Sequence, residues 1–392
     1  MAILEEIRKE ITSLDEALLH LLSRRKELSI EVARSKQATH RPIRDEHREQ
    51  ELLERLIAQG RPLGLSAHYI HQIYRLIIED SVLSQQSFIQ EQLNGQGGEA
   101  ASIAFLGPVG SYSSLAARKY LARHVGTIHE CSCTSFQDVI QSVESGQVAL
   151  GVLPIENTSS GSINEVYDLM QHTTLSIVGE LTLPIDHCLL AATETTEQQI
   201  TTIYAHPQPI QQCSHYLQSR MSKARLEYCD SSSAAMAKVR ELNSATAAAL
   251  GSDAGGALFG LHPIAEHLAN QTDNITRFIV VARKPIDVAL QIPAKTTLIL
   301  STAQKAGSLV EALLILRNHD INMTKLESRP IQGNPWEEMF YIDVAANLND
   351  PAMQTALREL NAIARSLKVL GCYPSEDVRP TQLPAYLTAP QI

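Results

Sequence analysis

Arg25 stands where a leucine or isoleucine is expected. From Ala2 to Thr39 the chain has neither glycine nor proline, and Leu4, Ile7, Ile11, Leu14, Leu18, Leu21, Leu28 and Val32 recur at alternating spacings of three and four. That pattern is the seam of a long packed helix. A seam arginine is costly to bury unless an anion meets it. Lys36, eleven residues on, returns to within about 20° of the same face. After the turn at Arg41-Pro42, a second helix offers Asp45, Arg48 and Glu49 at i, i+3 and i+4, all on one face. A third, from Ser66 to about Leu93, has an apolar stripe at Ile70, Ile73, Tyr74, Ile77, Ile78 and Val82, with Ser81 and Gln85 on or beside it. An ion-paired or snorkelling Arg25 would explain one such residue. Three helices aiming polar groups into one apolar interior point instead to a ligand pocket.

Arg8 adds a constraint. It precedes Arg25 by 17 residues, about 25 Å along a continuous helix, and is rotated from it by roughly 100°. The two cannot grip one small ligand from the same helix. If both serve the pocket, Arg8 must come from a second chain. Three helices with one very long member also make a poor monomeric bundle, so an interlocked dimer is expected.

Further along, GPVGSYS (Gly107 to Ser113) joins a strand to a helix, and GSDAGG (Gly251 to Gly256) is a second small-residue turn. Either would cradle an anion with backbone N–H groups, although tight turns explain glycine about as often. No Walker A motif occurs and neither turn fits GxGxxG, so neither ATP nor NAD is assigned. ENTSSGSI (Glu156 to Ile163) packs hydroxyls, an amide and a carboxylate behind an apolar strand; QTDNITRFIV (Gln271 to Val280) sets Thr276 and Arg277 before another. Taken singly, each reads as a capped turn. Cys131 and Cys133 would share one side of a strand, but six cysteines without a CxxC pair read as reduced thiols, and no metal or cofactor is expected.

The elements that position these groups fall into three segments. A chain of 392 residues, 44% hydrophobic and 19% charged, is ordinary globular material for two or three domains. Its first 60 residues hold 23 of its 76 charges, which marks a domain of different construction. We place that domain at residues 1–92, ahead of the linker-like LNGQGGEAA (Leu93 to Ala101). Residues 102–283 alternate strand-like and helical stretches (SIAFLGP, SSLAARKYL, VALGVLPIEN, INEVYDLM, LSIVGELTL), the α/β order of open sheets. Beyond a break at Ala282 to Lys295, residues 296–375 read β-α-β-β-α-β, a ferredoxin-like order. The proline-rich tail after Tyr373 is expected to be irregular. A net charge of −10 excludes a general nucleic-acid partner. No apolar run approaches the ~18 residues of a membrane span. The acids in MAILEEIRKEI are wrong for a signal peptide, so a cytoplasmic protein is expected.

The first segment, by Arg8, Arg25, Lys36, Arg41 to Glu49 (RPIRDEHRE), and Ser81 with Gln85, resembles the all-helical (AroQ-type) chorismate mutase family. The resemblance implies that Arg25 and a partner's Arg8 bind the two substrate carboxylates. It implies that Lys36 and Gln85 contact the ether oxygen, that Glu49 holds the ring hydroxyl, that Asp45 and Ser81 complete the pocket, and that Arg48 is an outer contact. The implied reaction, a Claisen rearrangement, needs no nucleophile; a held conformer and charge stabilisation suffice.

GPVGSYS, ENTSSGSI, HPQPIQQC (His206 to Cys213) and TRF together resemble the prephenate dehydratase family. The implied fold is two α/β lobes, periplasmic-binding-like, with the site in their cleft. Thr276 is the implied main catalytic group, donating to the departing hydroxyl, with Arg277 or backbone donors holding a carboxylate. Ser111, Glu156, Asn157 and Gln212 are second candidates. In the third segment, Gly307, Ser308, Leu309 and Val310 at a helix start and Glu327, Ser328, Arg329 and Pro330 at a strand end resemble the effector elements of ACT domains, with Ser308 where alanine is often found. They imply binding of L-phenylalanine between two chains. In this order the segments resemble bifunctional enzymes of phenylalanine biosynthesis that take chorismate through prephenate to phenylpyruvate under phenylalanine feedback. These act as homodimers or higher oligomers, with neither nucleic acid nor membrane as partner. A ligand-sensing transcription regulator with a helical dimer domain is the alternative; it requires a basic outer helix face, whereas the arginines here fall on the interior side.

Overall fold

Helix α1 (Ala2–Thr39) runs unbroken, as a segment without glycine or proline permits. This computed structural model describes residues 2–39, 41–95, 100–122, 127–271, 273–303, 305–331 and 337–376. Asp45 caps α2 (Glu46–Gly60), its carboxylate accepting the Arg48 N–H at 3.0 Å. Ser66 caps α3 (Ala67–Asn94) through the Tyr69 N–H, and Gly95 ends it with a positive φ. Leu53, Ile57, Ile70, Ile78, Val82 and Ile89 form the interior of this bundle. At about 57 Å, α1 outruns the roughly 42 Å of α3. The seam expected to be packed is therefore bare along its first half in the single chain: Leu14 is 65% and Leu21 68% exposed.

The middle of the chain builds two lobes. The first contains β1 (Ala100–Leu106), α4 (Tyr112–Leu121), β2 (Thr127–Cys133), α5 (Phe136–Glu144), β3 (Leu150–Asn157), the short β4 (Gly161–Ser162), α6 (Asn164–His172) and β5 (Ser176–Pro184). The chain then crosses to β6 (Cys188–Ala191), β7 (Thr202–Ala205), α7 (Pro207–Gln212), α8 (Ser214–Arg220), β8 (Arg225–Tyr228), α9 (Ser232–Leu242), β9 (Ala247–Gly251), α10 (Asp253–Leu258) and β10 (His262–Ala265), and returns as β11 (Ile275–Ala282). The sheets run β2-β1-β3-β11-β5 and β10-β6-β9-β7-β8, with β11 antiparallel between β3 and β5. The two crossings are stitched together: Ile185 N–H donates to the Asn274 carbonyl at 2.7 Å and Leu268 N–H to that of His187 at 3.0 Å.

The last segment has the expected β-α-β-β-α-β order: β12 (Ala294–Thr302), α11 (Ser308–Asn318), β13 (Met323–Pro330), β14 (Glu338–Val344), α12 (Pro351–Ile363) and β15 (Ala364–Pro374), arranged β13-β14-β12-β15. One sheet face (Leu298, Leu300, Ile342, Val344) packs on α11 and α12. The other (Ile299, Met339, Tyr341, Leu370, Tyr373) shares a core with Leu153, Ile155, Tyr167 and Ile279 of the first lobe. The segment between β11 and β12 is a strut rather than a free linker: Val288 and Ile292 are buried with Ile43, Leu53, Ile78 and Val82 of the bundle. The tail expected to be irregular lies outside the described residues beyond 376. No helix among those described is long and apolar enough to cross a membrane.

Candidate active sites

The helical bundle holds a cavity of about 470 Å³. Arg25 and Lys36 of α1, Asp45, Arg48 and Glu49 at the start of α2, and Ser81 and Gln85 of α3 line it, with Leu28, Val32, Ile43, Ile78 and Val82 as apolar wall. Helical periodicity thus brings together every in-chain residue expected there. The Arg25 guanidinium donates to Ser81 Oγ and, at 3.3 Å, to the Ile77 carbonyl. Lys36 Nζ donates to the Ile43 carbonyl. Burial pushes both cations below their ordinary pKa values; Tyr74 and Asp80 partly offset this for Arg25, as do Asp45 and Glu49 for Lys36. Gln85 is 7% exposed, and its Oε1 is buried without a partner among the described residues. A half-turn of that amide presents its two donors instead.

Arg44 was not anticipated. Its Nε and Nη2 both reach Glu49 Oε2 at 3.3 Å and so orient that carboxylate. The pairing spans the Asp45 cap, which an i, i+4 search does not cover. Arg8 does not reach the cavity; it is exposed on the distal half of α1.

The second site lies where the lobes meet. Parallel strands β1 and β3 lead at their carboxyl ends to Ser111 and Asn157, the usual ligand edge of an α/β sheet. Ser111 caps α4, accepting the Ser114 N–H at 3.2 Å. The two small-residue turns oppose each other across the cleft: a Cβ on Gly255 would come within 2.8 Å of the Gly110 carbonyl oxygen. Here the missing side chains allow close approach of the lobes.

Thr276, 7% exposed, pairs with Asn157 across β11 and β3, and Asn157 Nδ2 donates to Thr276 Oγ1 at 2.9 Å. Gln212 Oε1 lies 2.7 Å from His187 Nε2, and His187 Nδ1 lies 3.1 Å from the Tyr112 hydroxyl, which donates to the Asp186 carbonyl at 2.8 Å. This chain joins α7 of one lobe to α4 of the other. Burial lowers the His187 pKa, with Gln212 and Asp186 opposing, and raises that of Tyr112. His187 had no motif to mark it, and Tyr112, although inside GPVGSYS, was not singled out there.

Arg277 and Glu156 are not part of that surface. Side chains alternate along a strand, so these immediate neighbours of Thr276 and Asn157 face the opposite side of the sheet. There Arg277 lies 3.0 Å from Glu156, 2.8 Å from Glu180 and 2.6 Å from Asp343, and donates to the Tyr373 hydroxyl at 3.0 Å. Lys325 pairs with Glu156, and Lys295 lies 2.8 Å from Glu180. Desolvation alone would lower the Arg277 pKa, but Asp343, Tyr373 and Glu180 raise it. Of the two expected carboxylate holders, Arg277 or backbone donors, this geometry disfavours Arg277, whose donors meet three carboxylates and a tyrosine hydroxyl of its own chain.

In the third unit, Gly307 (φ 87°) caps α11 with a backbone that favours glycine. Ser308 Oγ donates to the Lys305 carbonyl at 3.1 Å; Leu309 is half-buried and Val310 is 58% exposed. Glu327 pairs with Tyr341 across the strands, on the face toward the first lobe, and accepts from Ser162 Oγ at 2.8 Å. Arg329 grips Asp168 through Nη2 at 2.9 Å to both oxygens. Ser328 and Pro330 alternate to the more exposed side. The expected effector strand is therefore split between two faces.

Comparison with known proteins matches residues 7–86 to the family model "Chorismate mutase type II" and residues 103–286 to "Prephenate dehydratase". The chain is 58% identical over 374 residues to the bifunctional chorismate mutase/prephenate dehydratase of Escherichia coli (strain K12), covering 95% of this chain and 97% of that protein. Among solved structures, the prephenate dehydratase of Arthrobacter aurescens in complex with L-Phe is 25% identical, with a TM-score of 0.64, covering 73% of this chain and 94% of that one. A quorum quenching acylase, GqqA, is 29% identical with a TM-score of 0.63, covering 71% of this chain and 99% of that one.

Proposed function

Because this chain belongs to the family of bifunctional chorismate mutase/prephenate dehydratases, we propose that its two sites run consecutive steps. The helical cavity rearranges chorismate to prephenate; the interlobe cleft turns prephenate into phenylpyruvate. The gathering of Arg25, Lys36, Asp45, Glu49, Ser81 and Gln85 around one cavity carries this reading. Family membership displaces the transcription-regulator alternative.

For the mutase, Arg25 takes one carboxylate, and its present hydrogen-bond partners are neutral groups that a carboxylate outcompetes. The second carboxylate goes to Arg8 of the partner subunit. The exposed Leu4, Ile7, Ile11, Leu14, Leu18 and Leu21 support a homodimer or higher oligomer joined along α1. Lys36 and the Gln85 amide then meet the ether oxygen as negative charge develops on it, beside an apolar wall of Leu28, Val32, Ile78 and Val82. Glu49, steadied by Arg44, holds the ring hydroxyl. Asp45 and Ser81 complete the pocket, with Arg48 outside.

For the dehydratase, the bond to the ring carboxylate breaks as carbon dioxide departs. Its electron pair enters the ring and expels the hydroxyl, which leaves as water on taking up a proton. Thr276 donates to that hydroxyl. Because Asn157 already donates to Thr276 Oγ1, the threonine proton points away from Asn157, and accepting one hydrogen bond strengthens it as a donor of the next. Ser111 and Gln212 contribute substrate contacts, and backbone donors at the start of α4 replace Arg277 as the carboxylate site.

The third unit is a ferredoxin-like ACT domain. L-Phenylalanine binds at Gly307, Ser308, Leu309, Val310, Glu327, Ser328, Arg329 and Pro330, between chains, and inhibits. The phenylalanine complex of the Arthrobacter protein supports this. Six free cysteines suit a reducing cytoplasm. The test supplies chorismate and follows prephenate and phenylpyruvate separately. Thr276→Ala accumulates prephenate, and Lys36→Ala stops chorismate consumption while added prephenate is still turned over. Loss of both activities from one substitution in a folded chain overturns the assignment of separate sites.

A further inference from the structure

We propose that Asn274 is a positioning residue for the dehydratase step, acting through Asn157 on Thr276; this rests on Thr276 being the hydroxyl that meets the departing group. The Asn157 amide can be turned only one way. Its Oδ1 lies 2.9 Å from both Ser159 N and Ser160 N, and 3.1 Å from Ser160 Oγ. Backbone N–H groups only donate, so oxygen must occupy that side and nitrogen the other. Nδ2 therefore faces β11 and its approach. It shares two hydrogens among Asn274 Oδ1 at 2.7 Å, Thr276 Oγ1 at 2.9 Å and the Ile275 carbonyl at 3.2 Å.

The shortest of these contacts is to Asn274, and it sets the roll of the amide. A terminal amide torsion is otherwise soft, and without Asn274 one hydrogen would be left only the longer Ile275 contact. The consequence falls on Thr276. An amide nitrogen cannot accept, so Thr276 Oγ1 accepts from it and the threonine's own hydrogen is directed elsewhere. Among the described residues Thr276 Oγ1 donates to no protein atom, although it is buried. The hydrogen is reserved for a ligand.

Asn274 is itself 4% exposed, and its carbonyl takes the Ile185 N–H at 2.7 Å from the other interlobe crossing. It thus ties the catalytic pair to the segments that any motion between the lobes must bend. A residue that only filled space would not need an acceptor aimed at a donor already offered two others.

The test uses the full chain, with prephenate as dehydratase substrate and chorismate turnover as the control for folding. Asn274→Ala is expected to lower dehydratase kcat on the order of 10–100-fold, with KM changed by less than about threefold. Asn274→Asp keeps the acceptor oxygen and recovers most of kcat. In a Thr276→Ala background, Asn274→Ala costs little more, because the two act as one unit. A wild-type kcat for Asn274→Ala, an equal fold-loss in both backgrounds, or an Asn274→Asp as impaired as Asn274→Ala in a chain with intact mutase activity overturns the role of Asn274. A wild-type kcat for Thr276→Ala overturns the reading of Thr276, and this inference with it.

Discussion

Thr276 and Arg277 are consecutive on β11 but serve opposite faces of one sheet. The threonine oxygen takes the Asn157 amide at 2.9 Å on the cleft side, while the arginine sits 2.6 Å from Asp343 on the side covered by the third unit. Thr276 lies on the face proposed to meet the substrate, and its neighbour fastens the same strand to the third unit. Glu156 and Asn157 repeat the division on β3.

The division separates activity from stability. Arg277→Met leaves Glu156, Glu180 and Asp343 crowded together with a cation missing, and breaking a buried ion cluster from one side costs about 3–5 kcal/mol. Thr276→Val removes one neutral hydrogen bond, a loss of about 1 kcal/mol, yet it should abolish most dehydratase turnover. Urea melts monitored beside prephenate turnover check this. Equal stability losses for the two variants would contradict the two-faced arrangement.

The same cluster sets an acid limit. Burial alone would raise the Glu156 carboxyl, but the hydrogen bond and charge of Lys325, with Arg277, hold it below its ordinary 4.5. A carboxylate depressed in the folded state contributes stability above its unfolded value, and that stability is lost as pH falls through the folded one. Unfolding free energy should therefore decline as pH drops below about 4.5. Glu156→Gln should show a shallower decline over the same window; an unchanged slope refutes the linkage.

The mutase cavity was legible because a helix returns to one face every three or four residues. A misplaced Arg25 could be traced to Lys36, Ser81 and Gln85 by counting alone. The same periodicity showed that the α1 seam is apolar, and the length of that helix led to the expectation that a second chain covers it. Adjacent strand residues point to opposite faces, so of the two expected carboxylate holders backbone donors fit the Thr276 side better than Arg277. Which face lay open depended on the third unit, whose Asp343 lies 66 positions from Arg277 and whose Lys325 lies 169 from Glu156, beyond any local pattern. Ile299 of β12 is buried against the first lobe, on the sheet face opposite α11 and α12.

Arg8 and Arg25 offer a counting test of the interlocked dimer. Each site would draw Arg25 from one chain and Arg8 from the other. Arg8→Ala and Arg25→Ala should each lose most mutase activity alone. When the two are unfolded together and refolded as a mixture, half the dimers are hybrids, and each hybrid holds one site with both arginines. Mutase activity should return to about a quarter of wild type. A mixture no more active than its components rules out sharing between chains.

β13, the strand proposed to bind the effector, touches the first lobe through Glu327, which accepts from Ser162 at 2.8 Å. Ser162 lies on β4, paired with Glu156 and one position from the Gly161 that pairs with Asn157. Phenylalanine seated at Glu327 to Pro330 can inhibit only if it prefers one arrangement of this contact to another. Ser162→Ala removes the link and leaves Asn157, Thr276 and the effector residues in place. Dehydratase activity without phenylalanine should stay within about threefold of wild type, while the phenylalanine concentration for half-inhibition rises about five-fold or more, the scale of a modest coupling energy. Titrating L-phenylalanine against both proteins decides it. Superimposable inhibition curves would show that the signal bypasses Ser162, leaving the Arg329–Asp168 and Lys325–Glu156 pairs as the other bridges from that strand to the lobe.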